Sequence, residues 1–254
     1  MDLGLSGKRA LVTGASRGIG FGCARALAAE GCDVALVGRD VHQLKAAMKA
    51  IRADFRVGVT SHATDLTVTS RQEALVDVVG DIDILVNNAG AIPPGDLLSI
   101  DEARWREAWE LKVFGYINLC RLVLPQMQER RSGVIINVVG AAAVRPRADF
   151  ITGAAGNSAL VGFTRALGSS SLRRGVRVVA VNPGLIATDR MEELLRARAV
   201  ERYGNPARWE ELIPNDPEPG TVEDVANLVT FLASNRAGHI TGTTITVDGG
   251  ASAY

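Results

Sequence analysis

Thr13–Gly20 reads TGASRGIG, between an apolar run and a helix-like stretch. Gly14 permits a tight turn. Gly18 and Gly20 let backbone approach a pyrophosphate and let a helix pack on a sheet. Ser16, Arg17 and Ile19 fill the turn between them. A helix starting here offers free N–H groups and positive potential to an anion. The chemistry is dinucleotide binding, and the order strand, glycine turn, helix is the context that makes the triplet specific. A purely structural glycine turn is the plainer alternative. The second apolar run ends in Gly38-Arg39, where NAD sites place an acid for the ribose 2′-hydroxyl. Arg17 and Arg39 together suit a 2′-phosphate, so NADP(H) is preferred over NAD(H). Asp40, next in line, is either that acid or a helix cap.

Other side chains have chemical potential of their own. Lys112 is one of four lysines, and Tyr116 lies one helical turn further on, so the two share a face. The loop Val144–Phe150 carries Arg145, Arg147 and Asp149. Its arginines suit a carboxylate or phosphate, hence an anionic small-molecule substrate, and Asp149 suits a general base. A solvated charged loop is the alternative. His42, His62 and His239 lack partners at metal-ligand spacing, so no metal is expected. Cys23, Cys32 and Cys120 read as buried, inert thiols. Trp105 and Trp109 are four apart and read as packing.

The elements that must hold these residues alternate along the chain. Strands are expected at Lys8–Thr13, Asp33–Gly38, Val57–His62, Ile82–Asn87, Val134–Val139, Val176–Val181 and Thr244–Val247. Helices are expected at Gly18–Glu30, Asp40–Ala53, Val68–Gly80, Asp101–Met127 and Ile151–Leu172. Near-continuous Val, Ile and Leu in the strands means burial on both faces, as parallel sheets require. Repeated strand–helix–strand units give an α/β, Rossmann-type doubly wound sheet in one domain spanning 1–254. Leu185–Pro219 breaks the rhythm with four prolines and reads as a substrate lid. The 28 basic and 28 acidic residues balance, which gives no pull toward nucleic acid or an anionic membrane. Without a leader or a spanning apolar run, the expectation is a soluble cytoplasmic protein.

The combined motifs resemble the short-chain dehydrogenase/reductase family over essentially the whole chain. TGASRGIG is similar to its glycine motif, Asp65-Leu66 to its adenine contact, and Asn87-Asn88-Ala89-Gly90 to its NNAG motif. Pro183-Gly184-Leu185-Ile186-Ala187-Thr188 resembles the turn that holds the nicotinamide carboxamide. Ile240-Thr241-Gly242 and Val247–Gly250 resemble its C-terminal signature. The resemblance implies about seven parallel strands, a bound nicotinamide cofactor and a homotetramer or homodimer. It also implies a serine, a tyrosine and a lysine where this chain has Gly140, Gly153 and Asn157, and an asparagine where it has Lys112. The tyrosine protonates the alkoxide left by hydride transfer, and its lysine lowers its pKa. Glycine cannot do that; Asn157 can bond a nicotinamide ribose but brings no charge.

If the long helix keeps the family geometry, Lys112 points into the crevice. A partly desolvated lysine can act as acid, base or Schiff-base former. It can instead fill space or bond Asn137 or Asn157. The reading is an NADP(H)-dependent oxidoreductase acting on a carbonyl or hydroxyl with a rearranged catalytic set. The alternatives are a lyase or isomerase holding its cofactor, and an inactive NADP(H)-binding partner or sensor. The two glycines predict a roomier pocket.

Overall fold

The computed structural model describes residues 2–253. Seven parallel strands form one sheet in the order β3-β2-β1-β4-β5-β6-β7. They are β1 (Arg9–Thr13), β2 (Asp33–Gly38), β3 (Val59–Ala63), β4 (Ile84–Asn87), β5 (Gly133–Val138), β6 (Val176–Pro183) and β7 (Thr244–Val247). The helices are α1 (Gly18–Ala29), α2 (Val41–Asp54), α3 (Thr69–Val79), α4 (Glu102–Trp109), α5 (Gly115–Glu129), α6 (Ile151–Ser171), α7 (Asp189–Tyr203) and α8 (Val222–Ala233). The order reverses between β1 and β4, and ligands of doubly wound sheets bind at that switch point, outside the strands' carboxyl ends.

The apolar runs have the expected consequence. Leu11, Leu36, Leu85, Ile135 and Val178 are fully buried. One core joins the sheet to α1, α2 and α8; a second joins it to α3 and α5. Cys23, Cys32 and Cys120 are buried free thiols, and desolvation pushes each up to about 12.

Three elements differ from expectation. The helix expected at Asp101–Met127 is broken by a π-turn over Glu110–Phe114. Such an extra residue in a helical turn rotates the side chains it carries, and it is frequent at functional sites. Helix α8 was not expected. It opens on a capping box, Thr221 with Asp224, and buries Val225, Val229 and Leu232. Leu185–Pro219 folds as α7 followed by a 3₁₀ stretch, Pro206–Leu212. Among the described residues, no helix is long and apolar enough to cross a membrane.

Candidate active site

The glycine turn is built against β4. Gly14 has φ +64°, and a Cβ there would lie 2.9 Å from Asn88 Nδ2 and 3.0 Å from Ala89 Cα. At Gly20 it would lie 2.2 Å from the Gly14 carbonyl oxygen. Thr13 Oγ1 accepts from the backbone N–H of both Asn88 (2.8 Å) and Ala89 (3.0 Å), and Asn88 Nδ2 donates to Thr13 O at 3.0 Å. The β1 and β4 ends are thereby clamped together. Helix α1 has no side-chain cap and no acid in its first turn. Its leading amides are left for an anion. Thr188 closes the cradle from the other side, its methyl 3.6 Å from the Cβ position of Gly18. Pro183 ends β6, and Gly184 sits so near Asp248 that a Cβ would come within 2.5 Å of it. Ile186 is buried and bridges to Gly220.

At the β2 and β3 ends, Asp40 caps α2, accepting from the N–H of His42 and Gln43. Arg39 is exposed beside Asp65. Bonds from the Thr67 amide and hydroxyl hold the Asp65 carboxyl below the usual range, helped by Arg71 and Arg39. Leu66 is buried. Arg17 does not turn toward Arg39. It pairs with Asp189 (3.1 Å) and Glu193 (3.6 Å) in the first turns of α7.

Lys112, Gly140, Gly153 and Asn157 gather around the end of β5. Lys112 crosses Gly90, where a Cβ would lie 2.9 Å from its Cδ. Its Nζ donates to Val139 O at 2.6 Å, rather than to Asn137 or Asn157. Desolvation, then the charge of Arg190, lowers its pKa to about 8. Arg190 reaches across from α7 to Ile92 O and pairs with Glu193 at 3.0 Å. Asn157 Nδ2 donates to Gly140 O at 3.4 Å. Its buried Oδ1 has no partner among the described residues.

Three expectations are overturned. The pocket is not opened by Gly153, because Phe150 covers it: a Cβ at 153 would lie 2.0 Å from Phe150 Cε1. At Gly140 the Asn157 amide stands 2.9 Å from the Cβ position. Tyr116 meets Lys112, with the ammonium 5.8 Å from its ring centroid. Its hydroxyl, however, is buried and donates to Val138 O at 3.0 Å, and burial raises its pKa further. Asp149 is no general base. A two-toothed bond from Arg147 (2.9 and 2.8 Å), with Arg198 behind it, lowers its pKa. Trp105 and Trp109 pack at 6.4 Å, and Trp109 Nε1 donates to Thr152 O. Phe150 was not singled out from the sequence; only its distance of three residues from Gly153 hinted at the contact. Among the described residues, no group of three or more His, Cys, Asp or Glu could hold a metal.

The Phe150 contact makes a prediction. Gly153→Tyr is expected to lower stability by about 1–3 kcal/mol through overpacking, read by denaturant unfolding. In Phe150→Ala/Gly153→Tyr most of that loss should return. Equal stability of Gly153→Tyr and the unsubstituted protein would contradict the packing described.

Residues 14–252 match the family model described as enoyl-(acyl carrier protein) reductase. The chain is 34% identical over 260 residues to 2,3-dihydro-2,3-dihydroxybenzoate dehydrogenase of Bacillus subtilis, covering 98% of this chain and 97% of that one. It is 34% identical over 261 residues to a 3-oxoacyl-(acyl-carrier-protein) reductase FabG of Staphylococcus epidermidis, covering 96% and 98%. Among solved structures it is similar to L-sorbose reductase from Gluconobacter frateurii complexed with NADPH and L-sorbose. The TM-score there is 0.90, with 32% identity and 98% of each chain covered.

Proposed function

Because this chain belongs to the short-chain dehydrogenase/reductase family, we propose that it is an NADP(H)-dependent oxidoreductase whose proton transfer falls to Lys112. It would exchange a hydride with a carbonyl or hydroxyl of a small, anionic molecule. The observation that carries the reading is the Lys112 ammonium at the end of β5, desolvated and down to about 8. General acids work best with a pKa near the operating pH.

The residues fit the cofactor. Side chains are excluded at Gly14 and Gly20, and the first amides of α1 are free. Asn157 Oδ1 is a buried acceptor without a donor, which a ribose hydroxyl would supply. Gly14, Ser16, Arg17, Gly18, Ile19 and Gly20 would hold the pyrophosphate. Asp65 and Leu66 would hold the adenine, and Asn88, Ala89 and Gly90 the adjoining ribose. Pro183, Gly184, Ile186 and Thr188 would hold the carboxamide. Bound there, the nicotinamide supplies or accepts the hydride. Lys112 then gives a proton to the substrate oxygen, or takes one in the reverse direction. Arg190 and α7 exclude water above it, so 185–219 acts as a lid.

For the 2′-phosphate, Arg39 offers an exposed guanidinium without an ion-pair partner among the described residues, and Asp40 is occupied in its cap. Arg39→Ser is expected to weaken NADPH by about 10- to 100-fold, the worth of a charged hydrogen bond, and to leave NADH unchanged. Titration calorimetry with both nucleotides checks this. The exposed Phe114, the last residue of the π-turn, supports self-association into a dimer or tetramer.

One observation favours a second reading. Phe150 puts a ring without a hydroxyl over the family's tyrosine position. A lyase, an isomerase or an inactive NADP(H)-binding partner has no need of that hydroxyl. The deciding experiment is NADPH absorbance during incubation with a panel of ketones and aldehydes. Steady oxidation supports the oxidoreductase. Substrate conversion without net NADPH loss, or tight binding with no conversion, supports the second reading.

A further inference from the structure

The ion pairs of α7 are not alike. Arg196 and Arg190 each meet a glutamate on their own helix, Glu192 and Glu193. Arg198 instead leaves its helix and puts Nε 3.4 Å from Asp149 Oδ2 in the β5–α6 loop. Arg147 already grips the same carboxylate through Nε and Nη2. One carboxylate thus serves two guanidinium groups. Arg147 Nη1 and both Nη atoms of Arg198 have no hydrogen-bond partner among the described residues.

These groups wall a cavity of ≈ 250 Å³ with Arg202, Glu201, Leu195 and Leu212. Three arginines face two acids there, a surplus of one positive charge. Arg198 is the more enclosed of the two guanidinium groups on Asp149, 30% exposed against 58% for Arg147. Burial lowers its pKa and Arg147's charge lowers it further, with Asp149 and Glu201 acting the other way. The cavity wall runs on into the loop that covers Gly153. Asp149 O accepts from Gly95 N at 2.8 Å in the β4–α4 connection, and the next residue is Phe150, lying on Gly153. Leu195 and Leu212 give the cavity an apolar side, which suits methylene groups between a reacting carbon and a charged end.

We propose that this cavity is a carboxylate subsite and that the substrates are oxo acids and the corresponding hydroxy acids. The carboxylate sits between Arg147 and Arg198. Asp149 is a positioning residue that splays the two guanidinium groups into a fork before substrate arrives. Leu195 and Leu212 line the alkyl spacer. The assignment rests on the oxidoreductase reading for its chemistry, and on the cavity alone for its binding.

Two measurements separate these. In the first, NADPH oxidation is followed with 2-oxobutanoate, 4-oxopentanoate and 5-oxohexanoate, each against its methyl ester. At the best chain length the acid is expected to exceed its ester about 10- to 100-fold in kcat/KM, carried by KM. In Arg147→Gln/Arg198→Gln that ratio falls toward one. In the second, glutarate is titrated calorimetrically into the NADP-loaded protein. Binding is expected in the parent protein and lost in the double variant, whose thermal melt reports that it folds. Asp149→Asn, which keeps the shape, should weaken glutarate while retaining some of it. Acids and esters turned over equally, with no glutarate heat, would overturn the subsite and leave the oxidoreductase standing. Glutarate binding that needs the arginines, with no carbonyl reduced, would support the subsite and overturn the redox reading. Inorganic phosphate binding in preference to glutarate would overturn the carboxylate assignment.

Discussion

Lys112→Met is expected to reduce carbonyl reduction by about 10²- to 10⁴-fold in kcat, the usual contribution of a general acid. Methionine keeps the length that crosses Gly90 and removes only the ammonium. NADPH affinity should stay within a few-fold, because no cofactor motif includes Lys112. The pH dependence gives a second signature. The proton donor is the ammonium form, present below the lysine's pKa of about 8 and lost above it. Reduction should therefore fall as pH rises through about 8, and oxidation of the alcohol should rise through the same point. Both limbs should vanish in Lys112→Met. Full activity in that variant, with the limbs intact, would remove Lys112 from the mechanism.

The second large effect is expected at Gly20. A methyl group there meets the Gly14 carbonyl oxygen at 2.2 Å and Asn88 Nδ2 at 2.5 Å. The carbonyl belongs to the turn itself, so the start of α1 must move away from β1. Gly20→Ala should cost about 3 kcal/mol of stability, the upper end for overpacking. The displaced amides should cut NADPH-dependent turnover by about 100-fold, as misplacements near 1 Å do. Gly162→Ala is the control. It lies inside α6 with nothing within 4 Å of its Cβ position. There the same change should raise stability by about 0.5–1 kcal/mol, since glycine weakens a helix interior. Denaturant midpoints and cofactor titration of both variants check the pair.

The sheet was legible because burial on both faces leaves a continuous apolar signature, as in VALV of β2 and VIINV of β5. Only the strand ends moved, by one or two residues. The cofactor cradle was legible because a positive φ and a close backbone approach both demand glycine, and Gly14 meets both demands. Helix α8 was missed although its capping box stands in the sequence. It follows directly on Pro214, Pro217 and Pro219, which close the Leu185–Pro219 segment. The π-turn was not legible, because nothing in ELKVF requires a wider turn. The cover over Gly153 belongs to the same class. Phe150 is a loop residue, and only the path of its loop brings the ring onto α6.

Glu193 ties together two parts of the proposed site. Its Oε1 faces Arg17 on the glycine turn at 3.6 Å, and its Oε2 faces Arg190 at 3.0 Å, which itself leans on Ile92 O. One helix, α7, therefore borders both the glycine turn and the β4–α4 connection. In the proposed function these ion pairs latch α7 over the nucleotide. The latches are exposed ion pairs, weak and screened by salt, so the dissociation rate of the nucleotide should quicken as ionic strength rises.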